Sequence, residues 1–178
     1  MTIRKATMRD IPALLHLING YAAQGIMLPR TEFEMAENIR DFTVAEEDGC
    51  TAACGALHFY TPSTGEVRSL AVDPQARNRG LGRTIAVALE SEARQCNLES
   101  VFAFTYVPEF FRKLGYVKVD RSQLPLKAWK DCMRCPKFQC CDELAMVKYL
   151  GGGAPTKRAE EAAESEASSV LLPVVKQE

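Results

Sequence analysis

Between Arg77 and Arg83 the chain reads R-N-R-G-L-G-R, three arginines threaded through two glycines. Such a run can build an anion cradle. Glycines at 80 and 82 let the backbone turn tightly and aim several N–H groups at one point, and the start of a following helix adds the positive end of its dipole. Arg77, Arg79 and Arg83 add guanidinium donors around it. A pyrophosphate is the ligand these groups suit. The run is neither a dinucleotide fingerprint, because the third glycine is missing, nor a P-loop, because no Gly-Lys-Ser/Thr follows.

Other chemistry-bearing residues say less. Cys132, Cys135, Cys140 and Cys141 crowd one segment, and a C-x-x-C pair can present two thiolates to one tetrahedral ion. A second C-x-x-C is missing, however, and adjacent cysteines cannot easily both face the same ion. The pattern therefore predicts reduced packing thiols and no metal. His58, alone on an apolar strand, predicts a histidine hydrogen-bonded in place. Lys127, Lys130, Arg134 and Lys137 form a basic run with Trp129 and Phe138 interleaved, but no nucleic-acid module surrounds it and no nucleic-acid partner is predicted.

The elements that must position these residues follow from the hydrophobic periods. Ile3 to Ala6 predicts a short strand, and Thr7 with Asp10 predicts the capped start of a helix with Ile11, Leu14, Leu15, Ile18 and Ala22 on one face, ending near Gly25. Thr31 with Glu34 predicts a second start, for a short helix burying Phe33, Ala36 and Ile39. Phe42 to Ala45, Ala52 to Tyr60 and Glu66 to Val72, separated by turn signals, read as an antiparallel meander. The glycine-rich run then opens a helix of about fifteen residues with Ile85, Leu89, Ala93 and Cys96 at helical spacing. Val101 to Thr105, a short helix at Glu109 to Leu114, and strands at Tyr116 to Val119 and Glu143 to Tyr149 complete the pattern. The fold class is α+β, a twisted mixed and mostly antiparallel sheet with helices on both faces.

Composition sets the outer bounds. The 178 residues include 22 Lys and Arg against 23 Asp and Glu, 47% apolar and 25% charged residues, which are ordinary globular values. No apolar run is long enough for a membrane span, and the polar start carries no signal-peptide pattern, so a cytoplasmic protein without a membrane partner is predicted. After Leu150 the composition turns to Gly, Ala, Ser and Glu with no aromatic residue. Residues 1–150 are thus predicted as one domain and 151–178 as a disordered low-complexity tail.

The stretch SLAVDPQARNRGLG resembles the GNAT superfamily of acetyl-CoA dependent N-acetyltransferases, whose R-x-x-G-x-G motif it carries as Arg77, Gly80 and Gly82 after a strand. EFFRKLGY is similar to the segment that closes the acetyl site in that superfamily. The resemblance implies the GNAT acyl-CoA N-acyltransferase fold, with acetyl-CoA as co-substrate and no tightly bound cofactor. It implies contacts to acetyl-CoA from Leu70, Ala71 and Val72, where the strand splays from its neighbour, and from Arg77, Asn78, Arg79, Gly80, Leu81, Gly82 and Arg83. A narrower resemblance rests on IMLPRTEFEMAENIRDFTV and LPLKAWKDCMRCPKFQCCDELAM. These are similar to short, single-domain amino-acid N-acetyltransferases of the N-acetylglutamate synthase type. The long form of that enzyme carries an amino-acid kinase-like domain ahead of the acetyltransferase, so an arginine-binding regulatory site is expected to be absent here.

What this resemblance implies is attack of an uncharged amine on a thioester, with transfer to the α-amine of glutamate, the first step of arginine biosynthesis. Glu66 matches the catalytic carboxylate of some GNAT enzymes and would act as base through water; Glu109 and His58 are fallbacks. Many GNAT enzymes place a tyrosine acid where Phe111 stands, and phenylalanine has no proton to give. Tyr106, water or a backbone dipole could take its place. For the acceptor carboxylates, Arg30 sits in the segment that implies acceptor binding, and Arg68 shares Glu66's side of its strand by period two, with Lys127 and Lys130 weaker. A homodimer is left open. The competing readings are a GNAT enzyme for another amine and a catalytically idle acyl-CoA binding module.

Overall fold

The computed structural model describes residues 1–125, 133, 135, 137 and 140–151. β1 (Thr2–Lys5) leads into a 3-10 turn where Asp10 Oδ2 accepts the Thr7 N–H at 2.7 Å, the reciprocal cap that their spacing predicts, and α1 (Ile11–Ala22) follows. Ile11, Leu14, Leu17 and Ile18 are buried while Leu15 is only partly covered. Leu15 and Leu17 flank the Leu14–Ile18 stripe on opposite sides, and the core covers the Leu17 side.

α2 (Glu32–Asn38) opens on a second reciprocal cap: Thr31 Oγ1 accepts the Glu34 N–H at 3.2 Å, and Glu34 Oε2 accepts the Thr31 N–H at 2.9 Å. Met35 and Ile39 enter the core, but Phe33, expected inside, is 71% exposed. Steps of three residues drift by about 60° each, so Phe33 lies about 120° around the axis from Ile39.

β2 (Phe42–Glu47), β3 (Cys50–Phe59) and β4 (Thr64–Val72) form the antiparallel meander. α3 (Leu81–Gln95) carries the chain back so that β5 (Ser100–Thr105) lies parallel to β4. Ile85, Leu89 and Ala93 are buried as expected, whereas Cys96 lies just past the helix end and is exposed; Leu98 closes the core in its stead. α4 (Pro108–Arg112), β6 (Val117–Val119) and β7 (Leu144–Tyr149) follow. Among the described residues the strands make one seven-stranded mixed sheet in the order β1-β2-β3-β4-β5-β7-β6.

Alternation along β3 feeds two cores. Cys54 and Ala56 pack with α1 and α2, and Ala53 and Leu57 pack with α3. Glu90 of α3, buried in the second core, accepts the Lys148 ammonium of β7 at 2.5 Å and so ties the far half of the sheet to the same helix. No helix among the described residues is long and apolar enough to cross a membrane. From residue 152 onward the expected tail lies outside the described residues, as do Lys127, Trp129, Lys130, Cys132, Arg134 and Phe138.

Two irregularities shape the middle of the sheet. The β4–β5 ladder has three rungs, Thr64 to Ser100, Gly65 to Val101 and Glu66 to Phe102, and stops there. On its other edge β4 carries an extra residue opposite β3, between the pairs Arg68–Ala56 and Ala71–Cys54, with Ser69 at φ 52°. Such a bulge bends its strand and reverses the side-chain phase beyond it. Leu70 and Val72 therefore turn toward the α3 core, while Glu66, Arg68 and Ala71 share the α1–α2 side.

The α1 cap also fixes the response to acid. Arg4 Nη1 and Nη2 donate to Asp10 at 2.9 and 2.8 Å, and the guanidinium holds this carboxyl well below the usual carboxylate range. A depressed folded value means that the stabilisation is complete above about pH 4, the unfolded value, and is lost as pH falls from there toward the folded value. Asp10→Asn is expected to cost about 2 kcal/mol near neutral pH and to flatten the acid limb of the stability curve. Urea melts taken from neutral to acid conditions measure both.

Candidate functional site

Where β4 and β5 part, the edge of β4 beyond Glu66 has backbone groups that β5 does not pair, and such groups call for a partner. The Val72 carbonyl has one within the chain: it accepts the Tyr21 hydroxyl from the end of α1 at 2.6 Å. The chain then leaves β4 through a 3-10 turn capped by Asp73, whose Oδ1 accepts the Gln75 N–H at 2.8 Å, and enters the glycine-rich run.

In that run Asn78 and Gly80 have φ of 64° and 79°, which coils the backbone, and Gly80 stands at the N-cap of α3. The left-handed conformation at 80 is cheap only for glycine. The first N–H groups of α3 have no acceptor inside the helix, and they sit with the positive end of its dipole beside the C-terminal end of β4. A Cβ on Gly82 would meet Val72 Cγ2 at 3.5 Å and the Phe110 ring at 3.6 Å, ordinary contacts.

Two arginines of the run are held by separate partners. Arg77 donates from Nε and Nη2 to the Tyr21 hydroxyl at 3.2 and 2.9 Å, with its guanidinium 5.4 Å from the ring centroid. Arg79 makes a two-pronged ion pair with Glu47 at 2.8 and 2.9 Å. Arg83 is exposed on the first turn of α3. Arg79 thus braces the β2–β3 turn with its side chain and faces the cradle with its backbone.

The α1–α2 side of β4 carries the second half of the site. Glu66 is 8% exposed and accepts the Tyr60 hydroxyl at 3.1 Å. Directly opposite it on β3 is His58, whose Nδ1 lies 2.6 Å from Asp41 Oδ2 and whose ring meets Tyr60 edge-on. Arg68 Nη2 reaches Asn38 Oδ1 at 3.5 Å and Asp41 Oδ2 at 3.7 Å. Arg30 and Arg68 line one narrow cleft together with Glu34, Met35, Asn38 and Phe42. Glu34 Oε2 also accepts the Thr31 N–H at 2.9 Å, so the α2 cap adjoins this cleft. A larger surface groove between β1, β2 and α3, lined by Lys5, Thr43, Glu92 and Gln95, contains none of these residues.

Glu66, Arg68 and Arg30 are therefore brought to one side of the splay, and the coiled run with the α3 start to its end. Glu109 is elsewhere, on an exposed face of α4, paired with Arg112. Phe111 is buried with Phe110 and Tyr116 edge-on around it. Tyr106, just past β5, accepts the Lys137 ammonium at 3.3 Å; burial pushes its phenol up, and the Lys137 contact pulls it back. Cys141 receives Arg121 Nη2 at 2.9 Å, with Cys132 outside the described residues. Tyr21, Tyr60 and Asp41 were not anticipated. Only Tyr21, a polar-tipped aromatic at a helix end, offers a signal in the sequence.

The model of the acetyltransferase (GNAT) family matches residues 13–116. An uncharacterized N-acetyltransferase of Chlorobaculum tepidum is 40% identical over 148 residues, covering 83% of this chain and 96% of that one. The amino-acid acetyltransferase of Mycobacterium tuberculosis is 32% identical over 135 residues, covering 74% and 77%. Among solved structures, the N-acetylglutamate synthase of Neisseria gonorrhoeae complexed with coenzyme A and N-acetylglutamate superposes with a TM-score of 0.77 at 29% identity, over 84% of this chain and 35% of that one. The chain thus spans about a third of the Neisseria protein. A family match across the meander, the cradle and α4, on a sheet that opens between β4 and β5, leads to one conclusion: this chain belongs to the acetyltransferase (GNAT) family.

Proposed function

We propose that the chain transfers the acetyl group of acetyl-CoA to the α-amine of glutamate, the first step of arginine biosynthesis, with residues 1–150 as the catalytic domain. The observation that carries this reading is the placement of one buried carboxylate, Glu66, at the last rung of the β4–β5 ladder, on the strand face that also carries Arg68 of the two-arginine cleft. The amino-acid acetyltransferase of Mycobacterium tuberculosis and the Neisseria synthase complexed with N-acetylglutamate support the acceptor class.

Each group then has a task. The backbone from Arg77 to Arg83 and the start of α3 take the pyrophosphate of coenzyme A, with Arg77 and Arg83 as cationic donors. Leu70 and Ala71 offer main-chain groups to the pantetheine arm, while Val72 contributes from a carbonyl already engaged by Tyr21. Arg30 and Arg68 receive the acceptor's two carboxylates, since a planar guanidinium pairs with a carboxylate through two parallel hydrogen bonds. Glu66 takes the ammonium proton through water, and the freed amine attacks the thioester carbonyl. Collapse of the tetrahedral adduct breaks the carbon–sulfur bond and releases the thiolate, which is then protonated. Phe111, lacking a hydroxyl and buried, has no part in that protonation; Tyr106 carries the phenol at the end of β5.

Three measurements bear on these tasks. Gly82→Ala is expected to keep coenzyme A affinity near that of the parent, because its Cβ finds room, whereas Gly82→Val should weaken binding in calorimetry by about tenfold or more with little change in melting temperature. Glu66→Gln should lower kcat/KM by about a hundredfold or more near neutral pH and recover as pH rises and free amine accumulates. A pH profile merely parallel to that of the parent would place the base elsewhere. Arg30→Ala should raise KM for glutamate by about tenfold to a hundredfold while KM for acetyl-CoA stays put; equal rises in both would make Arg30 a structural residue.

A further inference from the structure

The last turn of α1 holds two separate parts of the site through side chains two residues apart. Asn19 closes on the backbone of Arg30 from both sides, its Oδ1 accepting the Arg30 N–H at 2.8 Å and its Nδ2 donating to the Arg30 carbonyl at 3.0 Å. Arg30 lies in neither helix nor strand, so a carboxamide supplies what a ladder partner would. Tyr21 meanwhile donates to the Val72 carbonyl and accepts both Arg77 hydrogen bonds, joining the end of β4 to the first arginine of the cradle.

The turn that carries these two residues is itself closed. Gly25, at φ 70°, donates to the Ala22 carbonyl at 2.9 Å, and Ile26 donates to the Tyr21 carbonyl at 3.2 Å, the paired bonds that end a helix on a left-handed glycine. The connection leaving Gly25 is exposed at Ile26 and Pro29, and it is caught again at Arg30 just before the Thr31 cap starts α2. The Arg30 backbone is thus fixed by Asn19 on one side and by the α2 cap on the other. Arg30 and Arg68 line the same cleft, and the Arg30 main chain is held on both sides of it in sequence.

We infer that the last turn of α1 is a positioning element for both substrates, Asn19 setting Arg30 toward the acceptor and Tyr21 setting Arg77 and the β4 end toward acetyl-CoA. This rests on the assignment of Arg30 and Arg77 proposed above. Because the two devices stand on one rigid turn, the acceptor arginine and the cradle arginine keep a fixed separation, and an amine delivered by one meets a thioester delivered by the other in a constant geometry. Neither residue touches reacting atoms; each acts through the arginine it holds.

Steady-state kinetics in both substrates tests this on Asn19→Ala, Asn19→Asp, Tyr21→Phe and the Asn19→Ala/Arg30→Ala double variant of the full chain. Asn19→Ala should raise KM for glutamate by about tenfold, with kcat at saturating glutamate and KM for acetyl-CoA changing by less than about twofold, the scale of two lost neutral hydrogen bonds. Asn19→Asp, which keeps the acceptor for the Arg30 N–H, should fall between that and the parent. The double variant should be no worse than Arg30→Ala, because Asn19 acts only through Arg30. Tyr21→Phe, which keeps the ring and loses the hydroxyl, should raise KM for acetyl-CoA severalfold and leave KM for glutamate unchanged. An unchanged glutamate KM in Asn19→Ala beside a raised one in Arg30→Ala would overturn the inference and leave the acceptor assignment standing. No effect in Arg30→Ala would remove the assignment and the Asn19 half of the inference with it. Parallel rises in both KM values with a fall in melting temperature would reduce both residues to fold stability.

Discussion

Everything in this site follows from a ladder that stops early. β4 and β5 pair parallel for three rungs and then separate, and a strand edge inside a molecule cannot be left with unpaired backbone groups. The bulge at Ser69 bends β4 just beyond the last rung and sends Leu70 and Val72 into the α3 core, so the strand keeps its burial on one side while its edge stays open. The same strand delivers the chain to the α3 N-terminus, where coiled backbone and helix dipole favour an anion. Placing a thioester at the fork and its phosphates at the helix is then a matter of one strand's length.

Much of this was legible. The two caps at Thr7 and Thr31, the meander, the long helix opening on Gly80-Leu81-Gly82, and the shared side of Glu66 and Arg68 all come from periods and short-range chemistry that a sequence carries openly. The bulge was not, because Ser-Leu-Ala-Val is a plausible strand in either phase and nothing in it marks the reversal. Phe33 and Cys96 were misplaced where a three-residue step was followed too far or a helix ended one residue sooner. The contacts of Asn19, Tyr21 and Asp41 reach past their own elements, and side-chain bonds of that kind leave no periodic trace.

Charge in the site is placed rather than accumulated. The whole chain has a formal charge of −1, yet arginines ring both ends of the splay, and three of them are fixed by named neighbours: Arg77 by Tyr21, Arg79 by Glu47, Arg68 by Asn38 and Asp41. Pre-fixed guanidinium groups lose little side-chain freedom when an anion arrives, which favours recognition of carboxylate and phosphate geometry over bulk attraction. That placement is what the proposed small acidic acceptor calls for.

The central claim, that the splay joins an acetyl-CoA cradle to a cleft for an acidic amino acid, is tested most directly by coenzyme A release from acetyl-CoA with the purified chain and a panel of glutamate, glutamine, aspartate and a lysine peptide. The account predicts release that depends on the amino acid, with glutamate giving the highest kcat/KM and the peptide none above background. Release driven by the lysine peptide, or equal with and without any acceptor, would contradict it.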